Sequence, residues 1–163
     1  YRVAGNRIGL FFCWGVKHGI AENNHLSDNG EYGISIGHRD TDNTISSNRI
    51  ENNGEVGGLF RQEPNQGLAH IEIWWKKIIN SGSNSQGIGV NIEGETESIR
   101  LQQNQIAEKR SQPESVGIRI GPNTRDIILS DNRFLGLTVE VEDLRSELSK
   151  SAPTTTPINS LPL

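Results

Sequence analysis

The sequence predicts an all-β chain: a solenoid of about five to six coils of short strands, each coil stacked in parallel on the last. Three recurrences carry that prediction. Gly followed by an aliphatic residue returns as Gly9-Leu10, Gly33-Ile34, Gly58-Leu59, Gly87-Ile88 and Gly117-Ile118, at spacings of 24, 25, 29 and 30. Asn, any residue, then an apolar one returns as Asn24-His25-Leu26, Asn48-Arg49-Ile50, Asn104-Gln105-Ile106 and Asn132-Arg133-Phe134, with Lys76-Lys77-Ile78 in the missing place, in steps of 24, 28, 28 and 28. The third is a turn: Asp28-Asn29-Gly30, Asn52-Asn53-Gly54 and Asn80-Ser81-Gly82.

Each recurrence has a physical reading. Ile34 and Ile36, Ile88 and Val90, and Ile118 and Ile120 alternate with small or polar residues, which turns one set inward and the other to the surface of a strand. Asn and Gly turn the corners because they tolerate positive φ. One coil is too thin to bury its own apolar set, so stacking builds the core. Asn repeated at one coil position predicts a stacked amide ladder. Helices are disfavoured because Gly and β-branched residues recur too often.

In chain order, the first coil is aromatic, Leu10-Phe11-Phe12-Cys13-Trp14, and the third carries an insertion from Gln62 to Ala69. The fourth contains Trp74-Trp75-Lys76-Lys77, and the last regular strand runs from Leu137 to Val141. Residues 1–141 thus form the solenoid and 142–163 a C-terminal segment. Within that segment, Leu144 and Leu148 at i, i+4 allow a short helix over Glu142 to Lys150, either a cap on the open strand edge or an unattached tail. Ser151 to Leu163, with Pro153, Pro157 and Pro162, reads as extended or disordered.

Composition narrows the function classes. The length of 163 residues suits one domain. A net charge of −4, with basic residues scattered among acids, disfavours nucleic acid, which requires a concentrated basic face. No run approaches 18 apolar residues. Cys13 is the lone cysteine, so no internal disulfide forms. The chain starts at Tyr1 already inside the repeat pattern and reads as a piece excised from the C-terminal part of a longer solenoid.

The Gly-Ile-x-Ile, Asn-x-Ile and Asn-Gly marks, as in Gly33-Ile34-Ser35-Ile36, Asn48-Arg49-Ile50 and Asn53-Gly54, resemble right-handed parallel β-helix repeats of the pectin-lyase-like superfamily, over about residues 1 to 141. The resemblance implies a secreted or periplasmic protein that acts on, or binds, a polysaccharide or oligosaccharide. It carries over no catalytic residue. The Asp-Pro-His-Asp of alginate epimerases and the paired aspartates of polygalacturonases are absent.

Aligning coils by their leading Gly collects a strip of non-repeating side chains. His38 stacks between Trp14 and Gln62, Arg61 beside Gly37 or His38, Arg39 and Asp40 near Glu63, with Glu93 in the next coil. Ile92 and Pro122 occupy the place of His38 in later coils. A lyase needs a cation for the substrate carboxylate (Arg39 or Arg61) and a base, His38. A glycoside hydrolase needs a carboxylate pair, for which Asp40, Asp42, Glu63 and Glu93 are candidates. Trp14 offers a sugar platform, with Asp42, Gln62 and Glu93 as further binding residues. Asp40 and Asp42 also supply oxygens for calcium, short of a full site. The plain alternative is a solvated loop over His38 to Asp42 whose acids cap turns, in a non-catalytic glycan-binding or structural solenoid.

Overall fold

The computed structural model describes residues 1–37, 39–62, 77–81, 86–111 and 114–146, and the main chain of 71–74. In chain order the strands are β1 (Arg2–Ala4), β2 (Ile8–Phe11), β3 (Ile20–Glu22), β4 (His25–Ser27), β5 (Tyr32–Ile36) and β6 (Thr44–Ser46). Then come β7 (Arg49–Glu51), β8 (Val56–Phe60), β9 (Ile71–Trp74), β10 (Lys77–Ile79), β11 (Gln86–Ile92) and β12 (Glu97–Gln102). The series ends with β13 (Gln105–Ala107), β14 (Glu114–Ile120), β15 (Arg125–Ser130), β16 (Arg133–Leu135) and β17 (Val139–Asp143).

Every third strand joins the same sheet. The first sheet is β1-β4-β7-β10-β13-β16, the second β2-β5-β8-β11-β14-β17 and the third β3-β6-β9-β12-β15. All pairings are parallel. The chain is therefore the expected all-β parallel solenoid, and no helix occurs among the described residues.

The inward rows form one core. On the first sheet Leu26, Ile50, Ile78 and Ile106 stack in register, at most 1% exposed. Ile45 and Leu101 face them from the third sheet, and Ile34, Ile36, Phe60, Val90, Ile92, Ile118 and Ile120 from the second. Each such buried aliphatic side chain stabilises the fold by roughly 1.5–3 kcal/mol relative to exposure, and none could be buried by its own coil alone.

Corners are closed by side-chain amides that reach across coils. Asn48 Oδ1 accepts from Asn24 N and Nδ2, both at 3.0 Å, while its Nδ2 donates to the Ala21 carbonyl at 2.9 Å. Asn132 does the same for Asn104 and Leu101, and Asn53 for Asn29 and Leu26. The expected amide ladder is present at two corners. A third uses Asn43, which accepts from Gly19 N at 2.7 Å and donates to the Val16 carbonyl.

The glycine marks shift register. Ile34 pairs with Gly58 and Gly58 with Val90, so the equivalent glycines are Gly9, Gly33, Gly57, Gly89 and Gly117. Gly58 and Gly87 are not in that row. Consequently Ile92 aligns through Phe60 with Ile36, not with His38. The reason is steric. A Cβ on Gly33, Gly57 or Gly89 would lie 2.6 Å from the carbonyl oxygen of the next glycine in the row, and on Gly57 or Gly89 also 2.7 or 2.6 Å from Cγ2 of Ile78 or Ile106. The last strand also runs later than expected, to Asp143, and Leu144 N still bonds to the Ile120 carbonyl. Glu142 and Asp143 are thus strand, not the start of a helix; 147–163 lie outside the described residues, as do Trp75, Lys76, Gly82 and all of the Gln62 to Ala69 insertion after Gln62.

Gly89→Ala is expected to lower stability by about 1–3 kcal/mol, read from urea unfolding. Adding Ile106→Ala should not restore it, because the Gly117 carbonyl remains in the way. Restoration would show that the side-chain contact, not the main-chain approach, sets the constraint.

Candidate functional site

Two groups central to the sequence-derived strip are used up inside the fold. Asp40 is 0% exposed. Its Oδ1 accepts from Gly15 N at 3.1 Å and Val16 N at 2.8 Å, and its Oδ2 from Gly37 N at 2.9 Å. The carboxylate thus joins two main-chain donors of the preceding coil, where the chain passes through left-handed Trp14 and Gly15, to Gly37 N of its own coil. Arg61 lies across the second sheet: Nη1 donates to Ser35 Oγ at 2.7 Å, Nη2 to the Phe12 carbonyl at 3.1 Å, and the guanidinium sits 4.4 Å from the centroid of the Phe11 ring. The guanidinium lies close over Gly37, where a Cβ would be 2.7 Å from Arg61 Nη2 and would push the Arg61 side chain aside.

The other candidates separate. Arg39, in the left-handed region at φ 66°, and Trp14 are exposed. Gln62 and Glu93 do come together, in a recess with Asn91, Arg119 and Leu144, where Asn91 Nδ2 donates to Glu93 Oε1 at 2.7 Å. Asp42 lines a different recess, with Ser98, Arg100 and Asp126. His38, the base candidate, and Glu63, one of the carboxylate candidates, lie outside the described residues.

The structure assembles a feature that linear reading misses. On the first sheet, Arg2, His25, Arg49, Lys77, Gln105 and Arg133 occupy one register position, immediately before the inward row. Parallel strands repeat at about 4.8 Å, so these side chains form a straight outward row along the axis. Basic residues that look scattered in the sequence are thus concentrated. The signal was present in the Asn-x-apolar mark, whose x is His25, Arg49, Gln105 or Arg133, with Lys77 in the fifth copy. Two recesses run beside the row, one lined by Asn23, Ser47, His25, Arg49 and Lys77, the other by Gln103, Asp131, Gln105 and Arg133.

One carboxylate enters this face. Glu51 Oε1 lies 2.6 Å from His25 Nε2, and its Oε2 accepts from Arg49 Nη2 at 2.7 Å. The Arg49 hydrogen bond is the main cause holding the Glu51 carboxyl below its ordinary value; burial opposes it and His25 adds to it. As a metal site the face falls short. Among the described residues, no group of three or more His, Cys, Asp or Glu could hold an ion. Cys13 is half-buried and His18 exposed, and the sequence contains no methionine.

A carboxyl with a lowered folded pKa stabilises the fold above its ordinary range, and that contribution is lost as pH falls through the lowered value. Glu51→Gln is therefore expected to be less stable than the wild type by about 1 kcal/mol at neutral pH, with the gap closing below about pH 4. Urea midpoints across pH 3 to 7 would check this; a gap that stays constant with pH would refute a role for the charge.

Among the described residues no helix is long and apolar enough to cross a membrane. No curated protein and no solved structure matches the chain. One family does, over residues 2–160, and its description, periplasmic copper-binding protein (NosD), agrees with the secreted or periplasmic location expected from the repeat marks. The chain belongs to this NosD family, a right-handed parallel β-helix family of the pectin-lyase-like superfamily.

Proposed function

We propose that this chain is a non-catalytic periplasmic β-solenoid that holds its partner on a lateral face rather than in a catalytic cleft. The observation that carries the reading is the commitment of Asp40 and Arg61: three main-chain donors take up the carboxylate, and Ser35, the Phe12 carbonyl and the Phe11 ring take up the guanidinium. A lyase requires a cation that meets the substrate's carboxylate, and a hydrolase a carboxyl that meets its leaving oxygen or nucleophilic water; Arg61 and Asp40 meet the fold instead.

The copper binding named in the family's description finds no matching donor set among the described residues. Copper selects thiolate, thioether and imidazole donors. Here the one thiol is Cys13, the His25 ring is engaged with Glu51, and no cluster of three donors forms among the described residues. These residues do not fit a copper site.

Asp40→Asn should destabilise the protein by about 1–3 kcal/mol, since an amide NH₂ would face the Gly37 N–H or leave a donor unmet. Arg39→Ala should stay within about 0.5 kcal/mol of wild type. Wild-type protein should leave acidic and neutral polysaccharides at full length. Shortening that is abolished in folded Asp40→Asn would overturn the reading. Copper retained after dialysis should be the same in Cys13→Ser and His25→Gln as in the wild type.

A further inference from the structure

We propose that the outward row of the first sheet binds a linear polysaccharide carrying one anionic group per sugar, laid along the solenoid axis. The inference rests on reading a lateral face as the working surface and adds the chemistry of its partner.

The first support is uncompensated charge. Among the described residues, Arg2, Lys77 and Arg133 take part in no ion pair; away from this row Lys17, Arg39, Arg100 and Lys109 are likewise without one, while Arg7, Arg110, Arg119, Arg125 and Arg145 pair with Glu31, Glu108, Glu142, Glu97 and Asp143, so what distinguishes the row is that its cations fall in one line. Four permanent cations, Arg2, Arg49, Lys77 and Arg133, therefore line up on a chain whose net charge is −4. Two carboxylates stand against them, Glu51 within the face and Asp131 at its edge.

The second support is spacing. Successive places lie about 4.8 Å apart, comparable to the span of one hexose ring between its glycosidic oxygens. Successive anionic groups of such a polymer would meet successive coils. Phosphates on one strand of duplex DNA advance about 3.4 Å along the axis, so they fall out of step within a few coils.

The third support is a parallel row of polar groups. Asn23, Ser47, Gln103 and Asp131 are exposed corner residues in the left-handed region, and they line the same recesses as the cationic row. A polymer with acidic groups on one edge and hydroxyls on the other matches a cationic row beside a hydrogen-bonding row.

The probe is a fluorescently labelled polygalacturonate octasaccharide, which carries one carboxylate per sugar, titrated with the whole chain at low ionic strength. The wild type should bind it, and more weakly as salt is added. Lys77→Gln and Arg133→Gln should each weaken binding several-fold, and together by about tenfold or more. Arg125→Gln on the third sheet should leave it unchanged, and neutral dextran should not bind. The proposal is overturned if the wild type fails to bind, if Arg125→Gln weakens binding as much as Lys77→Gln, or if duplex DNA binds as tightly as the oligosaccharide. Product length is measured in the same tubes. Shortened oligosaccharide would overturn the non-catalytic reading alone, whereas absence of binding with intact oligosaccharide would overturn this proposal alone.

Discussion

The cross-section of this solenoid depends on one line of contact, where the main chain of the second sheet touches the inward side chains of the first. Gly9, Gly33, Gly57, Gly89 and Gly117 mark that line, and from Gly33 to Gly117 a Cβ at each would strike both the next coil and Ile50, Ile78, Ile106 or Phe134. With no side chain to separate them, the two sheets close to the distance at which those residues fill the core. Overpacking there has nowhere to relax, because the obstructing atoms include main-chain carbonyls. Once the sheets are fixed at this distance, so is the face that each strand turns outward.

Corner amides fix the axial register in the same way. A corner exposes main-chain donors and acceptors that no strand partner takes, and a buried polar group left unpaired costs about 1–3 kcal/mol. Asn supplies both an acceptor and a donor on one planar group, so each carboxamide binds the coil before it. Asp40 belongs to this logic. It does not recur, yet it does for left-handed Gly15 and its neighbours what Asn43 does for Gly19. A non-repeating polar residue in a repeat protein can thus be a local repair of irregular main chain, and uniqueness in sequence does not separate repair from chemistry.

This explains what could and could not be read beforehand. The three marks were legible because each has an immediate steric or hydrogen-bonding cause, and the strands and amide ladder lie where those marks put them. The glycine register was not, because Gly57 and Gly58 are adjacent and Gly87 and Gly89 are alternates; the choice depends on which one meets Ile78 or Ile106 across the core. Nor was the fate of Asp40 and Arg61, since their partners are main-chain groups, a hydroxyl and a ring 3 to 50 residues away. The cationic row lay in plain view at 23- to 28-residue intervals, too sparse to register as a cluster until the coils were superposed.

The fold itself makes no demand for that row. The main-chain N–H of His25, Arg49, Lys77 and Arg133 each bonds to a carbonyl of the preceding coil whatever the side chain, and the neighbouring Asn closes the corner. Any outward-tolerant residue would serve. Yet five of the six places hold Arg, Lys or His, and like charges on neighbouring strands destabilise a sheet. The adjacent permanent cations of the row are Arg49 and Lys77, and Glu51 pairs with Arg49 alone. Lys77 keeps its share of that cost, and what lowers it is negative charge brought from outside. The feature least required by the solenoid is therefore the one whose energetics point most directly to a partner.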